Sequence, residues 1–174
     1  MTAGGMADGQ DFDAFYRTTM PSLFRALLVV TADRELATDA TSEALARAWQ
    51  QWGTLRNPRA WVWQVATNYV KRWGRRVGNR EVLTDVFDER FELTAEALTS
   101  AAPAAAEADM DLLKALADLP AKQRAVVAGR YVLSLRPREV AYALGIDRRT
   151  ESEHHRRATK ALRARLAGWE GEQG

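Results

Sequence analysis

Apolar positions recur at helical spacing along most of the 174-residue chain. Phe12, Tyr16, Leu23 and Leu27, with Phe15 and Phe24 beside them, predict a first helix over residues 11–31, with Asp11 or Asp13 at its start. Ala37, Ala44, Leu45, Ala48 and Trp52 form the apolar face of a second helix over 34–52. Its alanines favour helix and permit close packing. A turn at Gly53 follows. Asn57 as a cap and Pro58 at the first helical position then open a third helix. Its stripe reads Val62, Val65, Ala66, Tyr69 and Trp73, and Gly74 and Gly78 weaken its end. Residues 10–78 therefore read as one three-helix domain.

The pattern breaks after residue 78. Residues 79–109 lack a long apolar face and end in an Ala/Pro-rich run, so they read as a linker. A second small domain spans 110–168. Met110, Leu113 and Leu116 mark a short helix closed by Leu119 and Pro120; Pro120 also opens the next, which carries Val126, Val127 and Tyr131. Pro137 opens another short helix with Val140, Ala141 and Leu144 facing inward. Gly145 ends it in a left-handed conformation, Ile146 plugs the corner, and a longer helix runs over 148–166. Short helix, glycine turn and basic helix form a helix-turn-helix pattern. The fold class is thus all-α, two small helical domains joined by an acidic, Ala-rich linker.

Charge sharpens this picture. The formal net charge is only +2, from 25 Lys and Arg against 23 Asp and Glu, but the signs are segregated. Lys71, Arg72, Arg75, Arg76 and Arg80 lie together without an acidic residue among them. An acidic stretch over 81–111 follows, and 136–165 is again basic. Two basic surfaces separated by an acidic tether suit polyanionic partners; solvated helix faces are the plain alternative. Arg148, Arg149, Ser152, Glu153 and Arg156 are the exposed candidates for entering a major groove, while Arg157, Lys160 and Arg163 fit phosphate contacts or solvated charge. Trp61, Trp63 and Trp73 interleave with Lys71, Arg72, Arg75 and Arg76, an arrangement suited to stacking unpaired bases while guanidinium groups hold phosphates. The alternative is that most tryptophans are core, Trp49 and Trp52 above all.

Much chemistry is excluded. There is no cysteine, hence no disulfide, thiol nucleophile or thiolate metal site. His154 and His155 are the only histidines and are adjacent, so a multi-histidine metal centre is unavailable. No phosphate loop, nucleophile elbow or zinc-protease helix occurs, and no carboxylate pair invites acid–base work. No enzyme activity and no cofactor are expected. The start of the chain lacks the basic and apolar regions of a signal peptide, and the apolar run around Leu23 to Val30 is too short to cross a bilayer. The expectation is a cytoplasmic protein without membrane insertion.

Together these segments resemble the small two-domain extracytoplasmic-function (ECF) group of RNA polymerase sigma factors, in its actinobacterial sigma-E-like branch. Residues 33–49 (DRELATDATSEALARAW) are similar to the family's polymerase-binding segment, and 58–76 (PRAWVWQVATNYVKRWGRR) to its promoter-melting segment. Residues 115–135 and 138–146 (REVAYALGI) resemble the module that reads the upstream promoter element. Order and spacing carry the resemblance. It implies that Asp39, Ser42, Glu43, Arg47 and Trp49 lie at the surface docking to the polymerase clamp helices. It places Asn68, Lys71, Arg72, Trp73, Arg75 and Arg76 against melted promoter DNA, and threads 79–109 through the polymerase channel towards the RNA exit. The implied partners are core RNA polymerase, promoter DNA and an anti-sigma factor or other regulatory protein.

The chain also departs from that pattern. Glu151 and His155 stand where aliphatic residues are usual, and Ser152 where lysine is frequent. Glu151, His155, Ala158 and Leu162 share one helix face, expected to pack inward. A lone buried carboxylate there costs several kcal/mol unless paired, and His155, one turn away, is the partner at hand. Arg136 replaces the usual small cap before Pro137, and Ala40, Thr41 and Ser42 replace bulkier residues in the polymerase-binding segment. Two readings remain open: a sigma factor that directs initiation, and a degenerate sigma-like regulator that binds polymerase or a protein partner with weak or no promoter reading. An ordinary helix-turn-helix repressor is disfavoured, since neither a dimerisation helix nor a ligand domain is present in the pattern.

Overall fold

The computed structural model describes residues 3–77 and 110–170. Every regular element among them is helical. The tether over 79–109 lies outside the described residues.

The first cluster contains α1 (Ala3–Thr31), α2 (Arg34–Gln50) and α3 (Pro58–Val77), with a 3-10 turn at Trp52–Thr54. Helix α1 begins well before Asp11, so neither Asp11 nor Asp13 caps it; Asp13 instead pairs with Arg17 one turn on, at 3.1 Å. Residues 3–10 hold no proline, so a helix nucleated downstream can extend through them even though Gly4, Gly5 and Gly9 disfavour it. Asp33 caps α2, accepting the Leu36 N–H at 2.9 Å. Asn57 caps α3 as its sequence predicts, accepting the Ala60 N–H at 3.3 Å. The small residues Ala37, Ala40, Ala44 and Ala48 are fully buried, which lets α2 lie close against α1 and α3.

The second cluster contains α4 (Met110–Ala117), α5 (Ala121–Val127, continued by a π-helical turn at Ala128–Val132), α6 (Pro137–Leu144) and α7 (Arg148–Glu170). Gly145 ends α6 with φ 67°, the left-handed value that glycine adopts without penalty. The Ile146 N–H closes the turn on the Ala141 carbonyl at 3.0 Å. Asp147 caps α7, accepting from the Thr150 N–H at 2.7 Å and its hydroxyl at 3.0 Å. Before Pro137, Glu139 provides the reciprocal half of a capping box. Its carboxylate accepts the Arg136 backbone N–H at 2.7 Å.

The two clusters share one continuous core. Leu23, Leu27, Val62, Trp63 and Val70 from the first join Val126, Leu133, Val140 and Leu144 from the second. Helix α3 packs on α6, and α1 packs on the π-helical turn. Trp63 sits at this junction, wholly buried. A Cβ added to Gly129 would lie 3.1 Å from Val140 Cγ2 and 3.2 Å from Trp63 Nε1, so any larger residue would make these side chains give by a few tenths of an ångström. Polar contacts frame the junction: Asn57 donates to Glu139 at 2.8 Å and Lys71 donates to the Leu144 carbonyl at 3.3 Å.

The buried face of α3 differs from the expected stripe. Ala60, Val62, Trp63, Ala66, Thr67 and Val70 are buried, whereas Tyr69 is half-buried and Trp73 exposed. Contact with both clusters widens the buried face and rotates it away from Tyr69 and Trp73. Trp49 also leaves the core: 56% exposed, it meets Phe12 edge-on at 4.9 Å between ring centres, and Trp52 is half-buried against Phe12 and Phe15.

Candidate nucleic-acid interface

Two concave surfaces meet on α2. On the side facing α1, Phe12, Tyr16, Met20, Phe24, Leu45 and Trp49 line an apolar groove of about 530 Å³, with Ser42 on its wall. This brings Ser42 and Trp49 together with aromatic residues of α1 that the sequence assigned only to packing. Asp39 is exposed on the same helix. On the side facing α3, Glu43 and Arg47 pair at 2.6 Å and join Tyr69, Arg72, Trp73 and Arg76 around a hollow of about 310 Å³. Residues assigned separately to polymerase and to DNA are thus neighbours. Tyr69 was missed because helical periodicity placed it in the core stripe.

The basic residues at the end of α3 have different surroundings. Asn68, Arg72, Arg75 and Arg76 are exposed. Lys71 is half-buried and turned towards α6. Burial, and then the charges of Lys122 and Arg75, lower its pKa from 10.5. Its ammonium therefore belongs to the junction between clusters rather than to the hollow that holds Arg72 and Trp73.

On α7, Arg148, Arg149, Ser152, Arg156, Arg157 and Lys160 are exposed and Glu153 half-buried. Glu153 bridges Arg156 at 2.8 Å and Arg157 at 2.7 Å. Hydrogen bonds from Arg156 and then Arg157 hold its carboxyl at about 2. Such surface pairs within a helix are weak and salt-screened, so both guanidinium groups can exchange this partner for phosphate.

The inward face of α7 corrects one expected pairing. Glu151 and Ala158 are completely buried, as their spacing requires, but Glu151 does not pair with His155. Arg130 reaches across from the π-helical turn and forks onto it, Nε to Oε1 at 2.7 Å and Nη2 to Oε2 at 2.9 Å. His155 instead shares a 2.9 Å hydrogen bond with Tyr131, their rings stacked at 5.9 Å. Periodicity placed the acid and imidazole on one face but carried no information about the neighbouring helix.

His155 gives a pH signature. Burial and then Arg130 lower its pKa from the ordinary 6.5, opposed by Glu151. The unfolded chain thus binds the proton more readily, and stability should rise with pH from the lowered folded value up through about 6.5. Conversely, acidification through this window should weaken the fold. His155→Gln should flatten that dependence, checked by urea denaturation at pH 5.5 and 7.5; an unchanged pH difference would refute the assignment.

Among the described residues no group of His, Asp and Glu side chains could hold a metal ion, and no helix is long and apolar enough to cross a membrane. Residues 15–80 match the sigma-70 region 2 family. The chain is 32% identical over 159 residues to the ECF RNA polymerase sigma factor SigL of Mycobacterium tuberculosis, covering 88% of this chain and 87% of that one. It is 30% identical over 166 residues to the RNA polymerase sigma-E factor of Streptomyces coelicolor, covering 92% and 89%. The fold is similar to the sigma factor RpoE crystallised with the anti-sigma factor NepR from Bartonella quintana, with a TM-score of 0.62 at 18% identity over 91% of this chain and 98% of that one. The chain belongs to the ECF sigma factor family of RNA polymerase. Its members are non-catalytic regulators, and its relatives here include actinobacterial SigL- and sigma-E-type factors.

Proposed function

We propose that this protein is a working sigma factor that docks on core RNA polymerase, opens promoter DNA with the end of α3 and reads duplex DNA with α7. The observation that carries the reading is the hollow between α2 and α3. There an exposed indole, Trp73, stands with Tyr69 among Arg72 and Arg76. Flat rings beside guanidinium groups bind unpaired bases and their phosphates together. The neighbouring apolar groove, with Ser42 and Trp49 on its wall and Asp39 nearby, suits an amphipathic helix of the polymerase. Glu43 and Arg47 lie between the two surfaces and link docking to melting. On α7, Arg148, Arg149, Ser152 and Arg156 form the face offered to base edges, with Arg157 and Lys160 towards phosphates. Helix α6, the Gly145 turn and α7 then act as the helix-turn-helix of a second domain, tethered through 79–109 to the first.

The alternative, a degenerate regulator with weak or no promoter reading, rested on the departures at residues 40–42, Arg136 and Ser152 together with the polar face of α7. Arg130 satisfies the buried Glu151 carboxylate, so that departure leaves the helix packed. This supports the working sigma factor. Action in the cytoplasm follows from the proposed partners. An anti-sigma factor is a proposed regulator, by analogy with the complex in which the similar RpoE was crystallised.

The test is transcription by core polymerase on genomic DNA fragments, with and without this protein. Specific initiation is expected. Polymerase binding without initiation, from well-folded protein across many fragments and with no added partner, would sink the proposal. Within that assay, Trp73→Ala should reduce promoter opening by roughly one to two orders of magnitude, the loss of one base-stacking contact. Replacing Arg72, Arg75 and Arg76 together should also lower the salt dependence of opening, while polymerase binding changes less. Normal opening by both variants would move the melting surface elsewhere.

A further inference from the structure

The departures from the family pattern on α7 converge on one place. The backbone widens at Ala128–Val132, where the Leu133 N–H bonds to the Ala128 carbonyl at 3.1 Å. From this turn two consecutive side chains, Arg130 and Tyr131, reach the same neighbouring helix and grip it one turn apart, at Glu151 and His155. The first grip is a buried two-bond fork and the second a stacked, hydrogen-bonded ring pair at the surface.

These contacts differ in kind from the aliphatic packing they replace. Apolar contact is non-directional and tolerates small rolls and slides of one helix on another. A guanidinium–carboxylate fork fixes distance and angle together, because both N–H bonds must stay aligned. A second directional contact one turn along leaves α7 little freedom to roll. At about 100° per residue, Arg149, Glu153 and Arg156 lie on the side of α7 opposite Glu151. Any roll of the helix swings those side chains across the surface they face. Buried ion pairs do little for stability compared with well-packed apolar side chains, but their directionality can specify a register.

We propose that the Arg130–Glu151 fork, assisted by Tyr131–His155, is a positioning latch that sets the roll of α7 and thereby the sequence discrimination of its exposed face. The proposal rests on the reading of α7 as the DNA-reading helix. Arg130 and Glu151 act through the helix and touch no base.

The test uses the full chain assembled with core polymerase. The probes are the promoter fragment giving the strongest initiation and the same fragment with its upstream element scrambled. Arg130→Met/Glu151→Leu should fold with equal or higher thermal stability and bind polymerase normally. Its preference for the intact over the scrambled element should fall about tenfold, the scale of one well-placed base contact. Arg130→Lys keeps the charge but not the fork, so it should also lose discrimination, and it remains informative if the double variant fails to fold. Full discrimination by a folded double variant, or by Arg130→Lys, would overturn the latch and leave the pair a structural contact only. Failure of the unmodified protein to distinguish the two fragments while initiating on both would overturn the DNA-reading role of α7, and the latch with it. The first failure changes only the variants; the second is visible before any substitution is made.

Discussion

Trp63→Ala should lower the unfolding free energy by about 3–5 kcal/mol, the range for deleting a large aromatic from a packed core. The indole is wholly buried where α3 meets the second cluster, against Val140 and the bare backbone of Gly129. Its loss opens a cavity that both clusters border, and neither can fill it without parting from the other. The indole N–H is buried without an acceptor among the described residues, which already costs some stability. Trp63→Phe should therefore be much milder, since it keeps most of the ring and removes the orphan donor. Urea denaturation of both variants checks this. Equal losses for alanine and phenylalanine would mean that the ring's bulk is not what joins the clusters.

Arg130→Met should be comparably severe, at about 3–5 kcal/mol, because it strands the Glu151 carboxylate in the core without its counter-charge. Adding Glu151→Leu should return all of that stability or more, since two apolar side chains avoid the desolvation of two charges. The double-mutant cycle thus separates the penalty of an orphaned charge from the net worth of the pair. A double variant as unstable as Arg130→Met alone would show that the site needs the ions for packing and not merely for each other. The two predictions concern opposite sides of the π-helical turn: Gly129 admits Trp63, while the next residue, Arg130, turns to Glu151. The second cluster is coupled through that short segment both to its own last helix and to the first cluster.

The sequence by itself determined most of the local architecture. Asn57 and Pro58 mark the start of α3, Pro120 the start of α5, and Gly145 the left-handed end of α6, each where the structure has it. Caps and glycine turns act within one helical turn, so the residues that decide them are adjacent in the chain. The same locality made α1 begin too late, because an acidic residue that can cap is also able to sit inside a helix and pair one turn on, as Asp13 does with Arg17. The inward face of α7 was legible from the spacing of Glu151, His155, Ala158 and Leu162, but the partners on it were not. Arg130 is 21 positions from Glu151 and enters only when a second helix is laid alongside. For the same reason α3 buries Trp63 rather than Tyr69 and Trp73: two sets of neighbours compete for its surface, and periodicity counts only one. Lys71 and Arg124 belong with these cases, the first turned to the Leu144 carbonyl and the second buried and donating to the carbonyls of Ala117 and Leu119. Local hydrogen bonding and helical period fix where elements start, stop and face. Which polar groups become buried, and with whom, depends on the distance between elements, and only the tertiary structure sets that distance.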